Sequence, residues 1–67
     1  MEQMDEKRLA AFEKMLTFVQ QEYDKTKEKM AALKADGKEK SATYRQLMGN
    51  KLTYQNLLAM YRLYDLL

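Results

Sequence analysis

The stretch that decides the fold is LAAFEKMLTFVQQEYDKTKEKMAALKADG, residues 9–37. Within it Leu9, Phe12, Leu16, Val19, Tyr23, Thr26, Met30 and Leu33 recur in alternating steps of three and four, which places them along one side of an α-helix. With Leu9 at heptad position a, Leu16, Tyr23 and Met30 follow at a, and Phe12, Val19, Thr26 and Leu33 fall at d. Thr26 is the one polar residue in this seam. A strand would alternate with period two, whereas the intervening Glu13, Lys14, Gln20, Gln21, Asp24, Lys25, Lys27 and Glu28 are polar at helical spacing. The spacing predicts a helix over about 5–35, roughly 45 Å long at 1.5 Å per residue.

Asp36-Gly37 stops this helix, because glycine takes the left-handed C′ conformation at little steric cost. The second helix has two candidate starts. Asp36 and Glu39 have the spacing of a capping box, and Ser41 is a competing N-cap. Either gives a turn at about 36–40, and a short loop joins antiparallel neighbours. The second helix, over about 41–65, carries Leu47, Tyr54, Leu58 and Tyr61 on one stripe. Its weak point is Gly49-Asn50, where glycine disfavours a helix interior and asparagine is a good N-cap. One helix, continuous or kinked, and two shorter ones are both compatible with that pair.

The reading is therefore all-α: an antiparallel helical hairpin of two long helices forming a single domain over residues 1–67. If the chain turns near residue 37, facing residues have numbers that sum to roughly 75, by equal rise along two antiparallel helices. Leu33 then meets the region of Tyr44, Val19 faces Tyr54 to Leu58, and Phe12 faces Tyr61 and Tyr64. Thr26 lands near Met48, Asn50 and Lys51, a polar layer that either fixes register or is a tolerated polar residue near solvent.

A chain of 67 residues buries only about 60% of the surface that it exposes when unfolded. Folds of this size lean on disulfides, metals or partner subunits. Cysteine and histidine are both absent, which removes disulfides and the usual ligands of zinc and iron–sulfur centres, so neither metal nor cofactor is expected. Association remains. Ala11, Met15 and Phe18 widen the apolar arc of the first helix, and the segment from Leu57 to Leu67 is apolar nearly all round. Both lie at the end away from the turn. The expectation is a homodimer in which the loop-distal halves pack as a four-helix bundle, with Met15, Phe18, Leu57, Leu58, Tyr61 and Tyr64 at the interface. Five tyrosines and six methionines at helical spacing read as core and interface rather than as an aromatic cage.

Charge is distributed unevenly along the chain. Residues 1–24 hold three basic against six acidic side chains, a net −3, and residues 25–51 hold eight against three, a net +5. The turn end is basic. Lys34, Lys38, Lys40 and Arg45 are candidates for contacting an anion, and a weak nucleic-acid binder is the alternative function. Phosphate recognition favours arginine, however, and this tip is almost all lysine, which equally describes a solvated surface.

No catalytic residue is expected, since histidine, cysteine and a Gly-rich phosphate loop are all missing. The acidic residues at seam-equivalent positions are Glu2 and Asp5, in the first turn. No membrane partner is expected either: no apolar run approaches the ~20 residues of a span, and the C-terminal segment has Arg62 as its one cation for a headgroup layer. The acidic N-terminus lacks the pattern of an export signal, giving cytoplasmic as the expected location. Function is then read as a non-enzymatic protein–protein interaction module, a regulator or adaptor acting as a homodimer with a protein partner that the residues do not specify.

Overall fold

The computed structural model describes the backbone from Glu2 to Leu67 and the side chains from Asp5 onward. Two helices pack against each other, α1 over Glu2–Ala35 and α2 over Ala42–Leu63, with no strand among the described residues. The first helix begins three residues earlier than the spacing predicts and ends where it predicts. The side chain of Glu2 lies outside the described residues, and Asp5 is exposed.

The ends of both helices follow from local hydrogen bonding. At the end of α1 the Gly37 N–H donates to the Lys34 carbonyl (3.0 Å) and the Lys38 N–H to the Leu33 carbonyl (2.8 Å). Gly37 sits at φ 73°. This is the paired C-terminal arrangement that left-handed glycine permits, and it turns the chain out of the helix axis. Ser41, not Asp36, begins α2. Its Oγ accepts from the Tyr44 N–H (3.1 Å), and its hydroxyl donates to the Lys38 carbonyl (2.8 Å), tying the loop to the cap. Asp36 is occupied at the end of α1, so the capping-box alternative is not formed.

The second helix is continuous through Gly49-Asn50. Two side-chain bonds span the weak point: Thr53 Oγ1 donates to the Gly49 carbonyl at 3.1 Å, and Gln46 Nε2 donates to Asn50 Oδ1 at 3.4 Å. A Cβ added at Gly49 would meet nothing within 4 Å. Gly49→Ala is therefore expected to stabilise the fold by about 1 kcal/mol, the intrinsic difference between the two residues in a helix interior. A urea titration followed by circular dichroism checks this, with the midpoint moving upward.

The second helix ends at Leu63, short of the predicted 65. Asp65 adopts φ 58°, with its N–H on the Arg62 carbonyl (3.1 Å) and the Leu66 N–H on the Tyr61 carbonyl (2.8 Å). This repeats the closure seen at Gly37 with an aspartate in the left-handed position, where a short polar side chain is better tolerated than most. Composition gave little warning of it, since no glycine marks the spot.

The unequal helix lengths shape the molecule. The helices hold 34 and 22 residues, about 51 and 33 Å, so α1 overhangs by roughly 18 Å at the end away from the loop. The overall extents are 53 × 19 × 15 Å. Two seam expectations change as a result. Leu9 is 59% exposed because α2 has already ended where Leu9 would need a neighbour. Tyr64 does not face Phe12 but is largely exposed at the C-cap. The Phe12 ring is met edge-on by Tyr61 instead, with centroids 5.1 Å apart and planes at 85°, a favoured aromatic geometry.

The rest of the seam is as spaced. Leu16, Val19 and Met30 are buried, and Phe12, Tyr23 and Leu33 are half-buried on α1. Opposite them Tyr44, Leu47, Tyr54, Leu57, Leu58 and Tyr61 are half-buried on α2. Thr26 is 5% exposed, at the level of the half-buried Asn50 and Lys51. Among the described residues no buried side-chain nitrogen or oxygen lacks a hydrogen-bond partner. Not one residue of α2 is buried.

Candidate interaction surface

The seam uses one stripe of each helix, and what flanks it differs on the two sides of the hairpin. At about 100° per residue, Ala11, Met15 and Phe18 lie to one side of the Phe12–Leu16–Val19 stripe, and Thr17, Gln20 and Asp24 lie to the other. The same rotation on α2 separates Leu57, Met60 and Tyr64 from Gln55, Ala59 and Arg62. The grooves between the helices show which flanks belong together. Lys29 and Leu33 share a groove with Thr43 and Leu47 on one side, and Tyr23 shares one with Gln55, Leu58 and Arg62 on the other.

The hairpin thus has an apolar side and a polar side at its open end. On the apolar side, Met15 and Phe18 are 50% and 56% exposed, and Met60 and Tyr64 are more exposed still. Leu57 is half-buried between them and the seam. Toward the loop this side becomes polar, with Glu22, Lys25 and Lys29 on α1 and Gln46, Asn50 and Thr53 on α2. These polar residues separate the apolar cluster at the open end from a second groove nearer the loop, lined by Ala32, Leu33 and Leu47 with Lys29 and Thr43.

On the polar side a shallow groove of about 430 Å³ is lined by Thr17, Gln20, Gln21, Asp24, Leu58 and Arg62, with Leu67 reaching it after the chain reverses at Asp65. Lys27 lies over the Tyr23 ring, 4.4 Å from its centroid, with its Nζ 3.5 Å from Asp24 Oδ1. Leu58 leans toward this groove.

Of the six residues expected at a dimer interface, Met15, Phe18, Leu57 and Tyr64 share the apolar side. Leu58 and Tyr61 serve the seam within the protomer, Tyr61 against Phe12. Met60 completes the patch. Sequence reasoning placed it in an all-round apolar segment but could not assign it a side, because that needs the phase of α2 relative to α1.

Lys34, Lys38, Lys40 and Arg45 are all exposed. Lys34 is in the last turn of α1, Lys38 and Lys40 are in the loop, and Arg45 is in the first turn of α2. The structure brings the four to one end. Among the described residues the ion pairs are Glu22–Lys25 (3.8 Å) and Asp24–Lys27 (3.5 Å), so the tip cations face water. No group of three Asp or Glu side chains placed to hold a metal ion occurs among the described residues. None of the described helices is long and apolar enough to cross a membrane.

No protein-family model matches the chain, and neither a curated protein nor a solved structure does.

Proposed function

We propose that the protein is a non-enzymatic interaction module that works as a homodimer, the apolar sides of two hairpins packing into a four-helix bundle. The observation that carries this reading is the cluster formed by Met15, Phe18, Leu57, Met60 and Tyr64. Apolar side chains are exposed elsewhere too, Leu9, Leu52 and Leu63 among them, but these five lie together on one side, and an apolar cluster flanked by polar residues is the usual mark of an interface.

Surface area supports it. The chain exposes 5707 Å², against about 4,450 Å² for a compact monomer of 8.0 kDa. The excess exceeds the roughly 800 Å² that each partner of a standard interface covers. A protomer with three buried apolar side chains and no buried residue in α2 also has little core of its own. Packing against a second copy supplies the missing burial. The acid–base and nucleophilic residue types that catalysis commonly draws on, histidine and cysteine, are absent from the sequence, which leaves surface recognition as the function best served.

Stability coupled to association depends on concentration. The thermal midpoint is expected to rise by several degrees for each tenfold increase in protein concentration, because mass action favours the bound, folded state. A midpoint that stays fixed from about 1 to 100 μM would contradict the dimer, that range spanning typical micromolar affinities.

A further inference from the structure

We infer that the outer face of α2 is a second docking surface, and that its occupant is an amphipathic helix of a protein partner carrying carboxylates near both its ends. This rests on the homodimer reading above, in which a second copy covers Leu57, Met60 and Tyr64 and leaves this face as the apolar surface of α2 still open.

At about 100° per residue, Met48, Leu52, Ala59 and Leu63 fall within roughly 60° of one another, about 140° round α2 from the Tyr54–Leu58–Tyr61 stripe that meets α1. All four are exposed, Leu52 by 51% and Leu63 by 76%. They lie away from α1, the other helix of the protomer. Gln55 borders this stripe on one edge and Asn56 on the other, so it is narrow and separate from the Leu57–Met60–Tyr64 flank. From Met48 to Leu63 it runs about 22 Å by helical rise, the length of a docked helix of about 16 residues.

Charge selects the occupant. Helix α2 holds Arg45, Lys51 and Arg62 and not one acidic residue, the nearest in sequence being Glu39 and Asp65, outside its two ends. Arg45 continues the stripe one turn toward the loop, and Arg62 stands at the level of Leu63, sharing the polar-side groove with Ala59. Both arginines are exposed, and neither belongs to an ion pair among the described residues. A guanidinium matches a carboxylate with two parallel hydrogen bonds. Two of them about 25 Å apart by helical rise suit a helix with Asp or Glu near each end and apolar residues between. An anionic membrane surface is the poorer fit, because interfacial helices present a broad apolar face with Trp, Phe or Leu. This stripe is narrow and carries no aromatic ring.

The probe is a synthetic helix of about 16 residues, with leucine at each position of the stripe's spacing and glutamate near both ends, titrated calorimetrically into the unaltered chain. A control peptide carries lysine for each glutamate. The expected result is saturable binding of the acidic peptide below about 1 mM, about tenfold or more tighter than the control. Leu52→Gln weakens it about tenfold or more, with helicity and sedimenting mass unchanged. Arg45→Glu combined with Arg62→Glu reverses the preference between the two peptides. No binding by a sample that sediments as the dimer overturns the docking face and leaves the dimer standing, whereas a monomer at every concentration overturns both. Equal binding of the two peptides, or no effect of Leu52→Gln, overturns the assigned face and partner. Binding to phosphatidylserine vesicles that Leu52→Gln abolishes, with neither peptide bound, gives the face to a membrane and overturns the protein partner.

Discussion

Replacing Val19 with aspartate is expected to unfold the protein at every concentration. Val19 is 3% exposed and lies in the seam between two other core contributors, Leu16 and the half-buried Tyr23. The substitution removes about 1.5–3 kcal/mol of apolar burial and adds a carboxylate that has no cation facing it across the seam, where the residues at that level are Tyr54, Leu57 and Leu58. An unpaired buried charge costs several kcal/mol more, or holds the group protonated at a similar cost. A domain of 67 residues typically has roughly 3–10 kcal/mol in total. Loss of the helical signal at 222 nm at both 1 and 100 μM is the expected reading. A variant that keeps full helicity would show that the seam is not the core.

The second large effect is of a different kind. Phe18→Glu alters a side chain that is 56% exposed in the protomer, so the change within the hairpin is small, of the order of 0.5 kcal/mol for a surface position. In the proposed dimer Phe18 would be buried twice, once from each copy. Introducing a carboxylate there is expected to raise the dissociation constant at least a hundredfold, about 2.7 kcal/mol, within the range of interface anchors. Sedimentation velocity across a concentration series would show the slower monomer boundary replacing the dimer. An unchanged boundary would remove Phe18 from the interface. The contrast between the two substitutions matters: Val19→Asp is expected to act within one chain and Phe18→Glu between the chains of the proposed dimer, although the residues are neighbours in sequence.

Most of the hairpin is readable from residue spacing, and the reasons are local. From Phe12 to Leu33 the heptad pattern fixes which stripe of α1 faces inward, and Gly37 fixes where α1 stops, because few other residues accept φ 73° at low cost. The start of α2 was open between Asp36 and Ser41. Both have suitable side chains, and only the hydrogen bond from Tyr44 decides for Ser41. The end of α2 was harder. Asp65 has no special claim on a left-handed position compared with asparagine or glycine, yet its turn shortens α2, frees Tyr64 and exposes Leu9. A seam expectation drawn from one helix fails where the other helix has already stopped.

The interaction surface was half legible for a related reason. Spacing shows that Met15 and Phe18 lie off the α1 seam, so they are recognisable as surplus apolar residues. In the segment Leu57–Leu67 apolar residues occupy every direction, and sequence alone cannot say which of them α1 covers. The edge-on contact of Tyr61 with Phe12 supplies that phase. It assigns Tyr61 to the protomer and, by rotation, Met60 and Tyr64 to the patch.

Everything proposed about the protein's role depends on a second copy covering that patch. Sedimentation equilibrium of the unaltered chain at tens of micromolar measures this without labels or substitutions. The account predicts a mass twice the 8.0 kDa of the protomer, falling toward one protomer mass on dilution. A helical, stable species of 8.0 kDa across the whole range would contradict it.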